Sequence, residues 1–213
     1  MFTKAQARAR RSRAGRWVAH HQAALFFPML LLEGAALHVA SITALRARPV
    51  DRARRVESVL LSAHVVGYLA AVFLVLPPVQ AVAFIAVQQG LFGVYLGCSF
   101  APAHKGMPLL GPGDQLDFLR RQVLTSRNIR GGHWVDLAMG GLNYQIEHHL
   151  FPSMPSPMLR RAQPLVRDFC LRHDLPYEET SLPRSFVLVL RYLHDVGTSP
   201  DSVRPGEPAG THP

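Results

Sequence analysis

A stretch of 46 residues, from Ser58 to Ala103, contains no Asp, Glu, Lys or Arg in this chain of 213 residues. As a helix it would rise about 69 Å, enough to cross a hydrocarbon core of about 30 Å twice. Pro77 and Pro78 lie inside the stretch, where a turn between two helices belongs. The sequence therefore predicts a membrane protein with a two-span transmembrane hairpin over residues 58–103.

Basic residues give the chain a net charge of +9 and cluster in two segments, residues 4–16 and 46–55. Next to a hydrophobic hairpin, such clusters are typical of the cytoplasmic side and of contact with anionic headgroups. The chain has no aromatic-basic RNA motif and no zinc-finger spacing, so we expect no nucleic-acid partner.

The apolar stretch from Trp17 to Leu45 has two interpretations. As a third span it would place the two basic clusters on opposite sides of the membrane. As a helix along the cytoplasmic interface it leaves every basic segment inside, and Glu33 and His38 cost less there than in hydrocarbon. The distribution of basic residues favours the interfacial helix.

These patterns predict an all-α membrane protein in five segments. Helical patterns also extend over residues 133–151, 157–173 and 184–195. The expected segments are a basic arm (1–16), an interfacial apolar helix with an Arg-rich connector (17–57), the transmembrane hairpin (58–103), a cytoplasmic histidine-box cap (104–197) and a disordered tail (198–213).

The segment with the most specific chemistry is residues 140–152, GGLNYQIEHHLFP. On a helix, Gln145, His148 and His149 stand at i, i+3 and i+4 and project from one face. Neutral imidazole nitrogens suit iron, and Gln145 offers a carbonyl oxygen. The alternative is a histidine-rich surface helix without a metal.

This segment resembles the third histidine box of membrane fatty acid desaturases, in the QxxHH form found in front-end acyl-lipid desaturases. The neighbouring sequence is also similar to that of these desaturases, and the resemblance extends from about residue 16 to 195. The similar segments are HQAALFFPMLLLEG (21–34), FAPAHKGMPLL (100–110), DFLRRQVLTSRNIRGG (117–132) and LNYQIEHHLFPSMP (142–155).

The resemblance implies a di-iron centre held almost wholly by histidines on the cytoplasmic face. His148 and His149 match ligands, Gln145 stands where other branches have a histidine, and His104 matches an additional ligand outside the boxes. Family members commonly have Asn before that histidine, whereas this chain has Ala103, which removes a polar neighbour of the ligand. His104 as an ordinary interfacial histidine is the alternative.

The implied reaction is the O2-dependent removal of two hydrogens from an acyl chain, which gives a cis double bond. The substrate would be a membrane lipid or another acyl compound, because acyl chains partition into lipid. Electrons would come from an external donor, a ferredoxin or a cytochrome. The Arg-, Ala- and Pro-rich composition suggests a bacterial inner membrane.

The family's two earlier boxes, of the HxxxH and HxxHH types, do not occur in residues 1–100. Two irons need about eight to ten donors, and this chain offers four. We therefore expect the C-terminal half of a four-span desaturase, incomplete without an N-terminal half, from a truncated or mis-started reading of a longer gene. The alternatives are a non-catalytic membrane fragment that binds little or no iron, and a related di-iron hydroxylase.

The remaining histidines of the apolar segments have weaker interpretations. His20 and His21 lack a histidine three residues earlier and are expected to be interfacial. His38 is isolated. His64 and Tyr68 share a helix face, and they are interpreted as polar helix-packing residues, with an acyl-channel lining as the alternative.

Overall fold

The computed structural model describes residues 12–111 and 113–198. Most of the predicted basic arm (1–16) and nearly all of the predicted tail (198–213) lie outside these residues. The described chain forms two compact units. We call residues 27–97 the apolar unit, and residues 12–26 together with 98–198 the polar unit.

Helices account for most of the described chain, with one pair of very short strands. Their bounds are α1 Arg13–His20, α2 Phe26–Leu30, α3 Glu33–Ala47, α4 Arg52–Val75, α5 Pro78–His104, α6 Phe118–Leu124, β1 Asn128–Arg130, α7 His133–Ala138, α8 Gln145–Leu150, α9 Ser156–Arg172, β2 Glu179–Ser181 and α10 Leu182–Thr198.

Helices α4 and α5, of 24 and 27 residues, are long and apolar enough to cross a membrane. Only 6% and 17% of the residues in their most apolar stretches are buried, so these side chains do not form the core of a soluble domain. Asp51 begins α4 by accepting a hydrogen bond from the Arg54 backbone N–H at 2.7 Å. Pro78 is the first residue of α5, a position that needs no backbone N–H. The predicted all-α membrane fold is confirmed, and its place as half of a four-span fold stays a prediction.

The apolar stretch over residues 17–45 contains three helices, α1, α2 and α3, instead of the single helix expected. Helix α1 ends at His20, where the His21 backbone N–H donates to the Trp17 carbonyl at 3.0 Å. Helix α3 has 15 residues and rises about 22 Å, too short to cross the bilayer unaided. The length of α3 therefore favours two spans over three.

Glycine allows α5 to pass very close to the end of α2 within the apolar unit. A Cβ on Gly93 would lie 2.2 Å from the backbone oxygen of Leu30, and a Cβ on Gly34 would lie 2.8 Å from the backbone oxygen of Gln89. Real Cβ atoms do not approach other atoms so closely, so both contacts require glycine.

The polar unit is organised around a small core beneath α8. Its buried residues come from α6, α8, α9 and the segment that follows α9, and Leu119, Leu150 and Tyr177 pack against them. Strands β1 and β2 pair in parallel, with Asn128 opposite Glu179. The buried core residues are Val123, Ile146, Val166, Cys170 and Leu175.

The helical pattern over residues 133–151 is divided into α7 and α8. Gly140 and Gly141 lie between the two helices with φ values of 59° and 83°, in the left-handed region that glycine adopts most easily. The turn ends α7 and lets α8 begin at Gln145 in a new direction. Hydrophobic periodicity continues across such a turn, which is why the sequence alone suggested one helix.

Candidate metal centre

The structure brings together the four residues that the sequence proposed as metal ligands. His104 is the last residue of α5 and lies in the polar unit, as does α8. The ring centroids of His104 and His149 are 5.1 Å apart, with the rings stacked. The centroids of His148 and His149 are 6.0 Å apart. Residues separated by more than 40 positions in the chain therefore meet at one place.

Helix α8 presents Gln145, His148 and His149 on the same face, as the i, i+3, i+4 spacing predicts. The Gln145 side-chain nitrogen lies 2.9 Å from His149 Nε2, so these two side chains are already in contact. Gln145 is 2% exposed, whereas His148 and His149 are half-buried. The face is partly shielded from water but is accessible at the two imidazoles.

The surroundings of His149 favour neutral imidazole, the form that binds metals. Burial lowers the pKa of His149, and the neighbouring His104 and His148 lower it further. The ring of His104 interacts with the backbone carbonyl of Thr125, which orients one ring N–H and leaves the other nitrogen as an acceptor. An imidazole held in this way presents a lone pair to an ion.

Two buried polar atoms at this place have no hydrogen-bond partner, His149 Nδ1 and Gln145 Oε1. Buried polar atoms are nearly always satisfied. The Gln145 nitrogen can only donate, so His149 Nε2 is the acceptor and Nδ1 carries the proton, which leaves the Gln145 oxygen as the unpaired atom that suits a bound ion. Among the described residues, no group of three or more His, Cys, Asp or Glu is arranged to hold a metal ion. The donors thus fit part of an iron site.

The opposite side of α8 is fixed by a buried hydrogen-bond network. Glu147 and Asn128 are 0% and 1% exposed. Asn128 Nδ2 donates to Glu147 Oε2 and to the Tyr177 hydroxyl oxygen, both at 2.6 Å. The Tyr177 hydroxyl donates to Glu147 Oε1 at 2.7 Å, and Asn128 Oδ1 accepts from the Ile146 backbone N–H at 2.9 Å. The network ties α8 to β1 and to the segment before β2.

Burial controls the ionisation of this network. It raises the pKa of Glu147, and the hydrogen bonds from Tyr177 and Asn128 only partly oppose it. It also raises the pKa of Tyr177, and the adjacent Glu147 carboxylate raises it further. Tyr177 therefore remains a hydrogen-bond donor at any physiological pH.

Arg127 holds the end of α5 in place. Its backbone N–H donates to the Ala103 carbonyl at 3.0 Å, and its guanidinium donates to the Lys105 carbonyl. Arg127 is 3% exposed and Ala103 is 0% exposed. The position before His104, where the family commonly has Asn, is thus enclosed, and the methyl group of Ala103 offers no hydrogen bond to the adjacent histidine.

The other histidines singled out in the sequence do not join this cluster. His20, the last residue of α1, hydrogen-bonds the Gly197 carbonyl at 3.2 Å, and the next residue, His21, packs against Trp17 with ring centroids 4.6 Å apart. His38 and His64 belong to the apolar unit, where their rings lie 6.4 Å apart.

Sequence reasoning missed Asn128, Glu147 and Tyr177. Glu147 carried a detectable signal, because it lies on the apolar side of the histidine helix beside Ile146, where a carboxylate needs partners. Asn128 and Tyr177 carried none, because they reach Glu147 through the pairing of β1 with the segment around β2.

Comparison with known proteins agrees with the histidine-box resemblance. The family model described as "Fatty acid desaturase" matches residues 2–181. An acyl-lipid (9-3)-desaturase from Physcomitrium patens is 35% identical over 148 residues, which are 70% of this chain and 27% of the relative. An acyl-lipid (8-3)-desaturase from Thraustochytrium is 32% identical over 148 residues, 68% of this chain and 34% of the relative.

A Delta(8)-fatty-acid desaturase from Borago officinalis is 37% identical over 84 residues, 39% of this chain and 19% of the relative. No solved structure matches the chain. The chain spans about a third or less of the length of these relatives. The family match covers the four clustered residues and both apolar helices, so this chain belongs to the fatty acid desaturase family.

Proposed function

We propose that this chain supplies one part of the di-iron site of an O2-dependent acyl-lipid desaturase that introduces a cis double bond into an acyl chain. The observation that carries the proposal is the convergence of His104 with Gln145, His148 and His149, at ring distances of 5.1 and 6.0 Å. Relatives named as acyl-lipid desaturases support the substrate class.

The residues of this chain would bind and orient the metal. His104, His148 and His149 would donate imidazole nitrogens, and Gln145 would donate its unpaired carbonyl oxygen. Iron, when bound, would supply with O2 the oxidising power that no side chain has for an unactivated C–H bond. Burial of α8 against the core would keep these donors in a fixed arrangement.

Four donors are fewer than the eight or so that two irons require, so we propose that the remaining donors come from a polypeptide segment that carries HxxxH and HxxHH boxes. Without that segment, we expect the chain to be catalytically inactive. The scarcity of donors also favours a second candidate, a membrane protein that binds little or no iron.

The location and the electron donor are parts of the same proposal. We place α4 and α5 in the membrane, with the basic connector between α3 and α4 and the polar unit on the cytoplasmic side. A bacterial inner membrane fits the composition, although the similar relatives named above are eukaryotic. The electrons would come from a ferredoxin or a cytochrome that docks on the basic polar unit.

Co-expression tests this function directly. The chain is expressed with and without a separate desaturase segment chosen because it contains HxxxH and HxxHH boxes, and fatty acids and protein-bound iron are measured. We expect new unsaturated fatty acids and about two irons per complex only in the co-expression. His149→Ala should abolish the product, whereas His173→Ala, an exposed histidine at the end of α9, should leave it unchanged.

Two results would contradict the proposal. About two irons bound to the chain alone would show that its own donors are sufficient. Retention of full product by His149→Ala in the co-expressed complex would remove this residue from the metal site.

A further inference from the structure

The apolar unit contains a groove between α3 and α4 that combines a cationic end with an apolar body. A cavity of about 160 Å³ lies near the α3–α4 connector, and a second cavity of about 580 Å³ lies deeper along the same helices. Ile42 lines both cavities, so they adjoin at this residue, and we call the two together the groove.

The smaller cavity has the chemistry of an anion site. Its polar lining residues are Arg46, Arg54, Ser58 and Ser62. Arginine presents several N–H donors in a planar fork that matches phosphate oxygens, and serine hydroxyls add further donors. No acidic side chain lines this cavity.

The nearby acids do not neutralise these arginines. Glu57 pairs with Arg48 at 2.6 Å, and Asp51 accepts from the backbone N–H of Arg54 as the N-cap of α4. The Arg54 guanidinium donates one bond to the Arg48 carbonyl at 2.6 Å and keeps its other N–H groups. The Arg46 side chain has no hydrogen bond or ion pair among the described residues. Both charges are therefore open to an external anion.

The deeper part of the groove suits a hydrocarbon chain. Apolar residues, among them Val65, Leu69, Ile85 and Phe92, make up the larger part of its lining. The polar lining residues are His38, His64, Tyr68, Gln88 and Gln89. The distance along α3 from Arg46 back to His38 is eight residues, about 12 Å. A ligand with an anionic head at the connector would thus extend an apolar tail along the groove.

We propose that the apolar unit binds one anionic phospholipid in this groove. The phosphate lies between Arg46 and Arg54, with hydrogen bonds from Ser58 and Ser62, and an acyl chain passes Ile42 toward the His38–His64 cavity. Arg54 lies in the first turn of the membrane-spanning helix α4, and Arg46 lies in the last turn of α3, on the other side of the connector. The end of a membrane-spanning helix is the depth at which headgroup phosphates are found. This site is independent of the metal centre and does not rest on the proposed catalytic function.

Lipid retention tests the site. The full chain is reconstituted in bilayer discs of phosphatidylcholine and phosphatidylglycerol with identical acyl chains, then released into mild detergent and analysed by native mass spectrometry. Wild-type protein should retain one phosphatidylglycerol in preference to phosphatidylcholine. The double variant Arg46→Gln/Arg54→Gln should lower this retention at least about tenfold, since it removes both arginines that line the cavity and each one in contact with the phosphate should contribute about fivefold to binding.

A matched control removes the same amount of charge from the start of α4. Arg52 and Arg55 are exposed and do not line the cavity, so Arg52→Gln/Arg55→Gln should change retention by less than about twofold. If both double variants lose phosphatidylglycerol equally, the attraction is a diffuse property of the basic connector, and the proposed site is wrong.

Two further arms separate a lipid from a free anion. Ile42→Trp, which fills the junction between the cavities without changing charge, should reduce phosphatidylglycerol retention, with helicity by circular dichroism as the folding check. Excess inorganic phosphate should displace little of the lipid. Complete displacement by phosphate, together with normal retention by Ile42→Trp, would identify a phosphate site without an acyl chain and overturn the proposal.

Discussion

Tyr177 completes the network that holds α8, and its hydroxyl is the member most easily removed without a change of shape. The hydroxyl donates to Glu147 Oε1 at 2.7 Å and accepts from Asn128 Nδ2 at 2.6 Å. Tyr177→Phe deletes both bonds and leaves one N–H of the buried Asn128 side chain without this partner. We therefore expect a loss of stability in the polar unit that is larger than that of an ordinary Tyr→Phe change.

The magnitude follows from the two bonds that are lost. A hydrogen bond to a charged group contributes about 1.5–3 kcal/mol, and an unsatisfied buried donor costs about 1–3 kcal/mol. Tyr177 is half-buried, so water can replace part of the loss, and we expect about 2–3 kcal/mol in total. In a protein of this size, that corresponds to a decrease of about 4–12 °C in the unfolding temperature.

The assay uses the buried thiol of Cys170. Cys170 lies in the core of the polar unit with 0% exposure, so it reacts with a maleimide only when that unit opens. The chain has two cysteines, and Cys98→Ala removes the other. Alkylation in detergent is followed by mass spectrometry at increasing temperature, which reports the unfolding of the polar unit without requiring the apolar unit to unfold.

Tyr192→Phe is the matched control. Tyr192 is a half-buried tyrosine of α10, and burial is the sole cause of its raised pKa, as expected for a hydroxyl without hydrogen-bonded neighbours. Its substitution should cost less than about 0.5 kcal/mol. Equal shifts for Tyr177→Phe and Tyr192→Phe would refute the reasoning, because the network would then contribute nothing beyond generic burial.

Three further results are expected, two from the same thiol assay of the polar unit and one from circular dichroism of the apolar unit. Because the pKa of Tyr177 is raised in the folded chain, its stabilising contribution is complete below about pH 10 and is lost as the pH rises further. The stability of the polar unit should therefore fall less steeply with alkaline pH in Tyr177→Phe than in the wild-type chain. Gly141→Ala should destabilise the polar unit by at least about 2 kcal/mol, since φ is 83° and the new Cβ would lie 2.7 Å from a side-chain carbon of α9. As the control, Gly132→Ala places its Cβ in open space and should change the stability by less than about 0.5 kcal/mol. Gly93→Ala should lower the thermal stability of the apolar unit, measured by circular dichroism, because α5 would have to move away from α2. Gly67→Ala, whose Cβ would have no neighbour within 4 Å, should instead stabilise this unit by up to about 1 kcal/mol. An equal effect of the two changes would contradict the close packing of α5 on α2.

The membrane helices could be predicted from the sequence because the bilayer acts on every residue of a span. A charge-free run long enough for two helices has few other solutions, and Pro77–Pro78 marks the turn between α4 and α5. The start of α4 was predicted less well. Asp51 caps the helix before the uncharged run begins, so the first turns of α4 consist of arginine-rich sequence that hydropathy assigned to a connector.

The polar unit was predicted only in part, because its turns and strands depend on backbone conformation and on distant partners. The pattern over residues 133–151 was helical throughout, yet the left-handed Gly140 and Gly141 divide it. Strands of three residues, such as β1 and β2, have no periodicity that a sequence can display, and their pairing joins positions about 50 residues apart.

The candidate metal centre could likewise be predicted where it depends on local helical spacing, but not where it depends on contacts with residues distant in the sequence. Helical spacing predicts that Gln145, His148 and His149 share a face, but it does not predict what that face meets. A helix of six residues is not stable alone in water, so the direction of α8 must be set by its surroundings. Those surroundings act on the opposite face, where Asn128 binds both the Glu147 carboxylate and the Ile146 backbone N–H. The donors of the proposed iron site are thus positioned by residues that need not touch the metal. Substitutions on the two faces of α8 should therefore have different effects. Changes at the histidines should alter metal binding with little loss of stability, whereas changes at the hydrogen-bond network should reduce stability first.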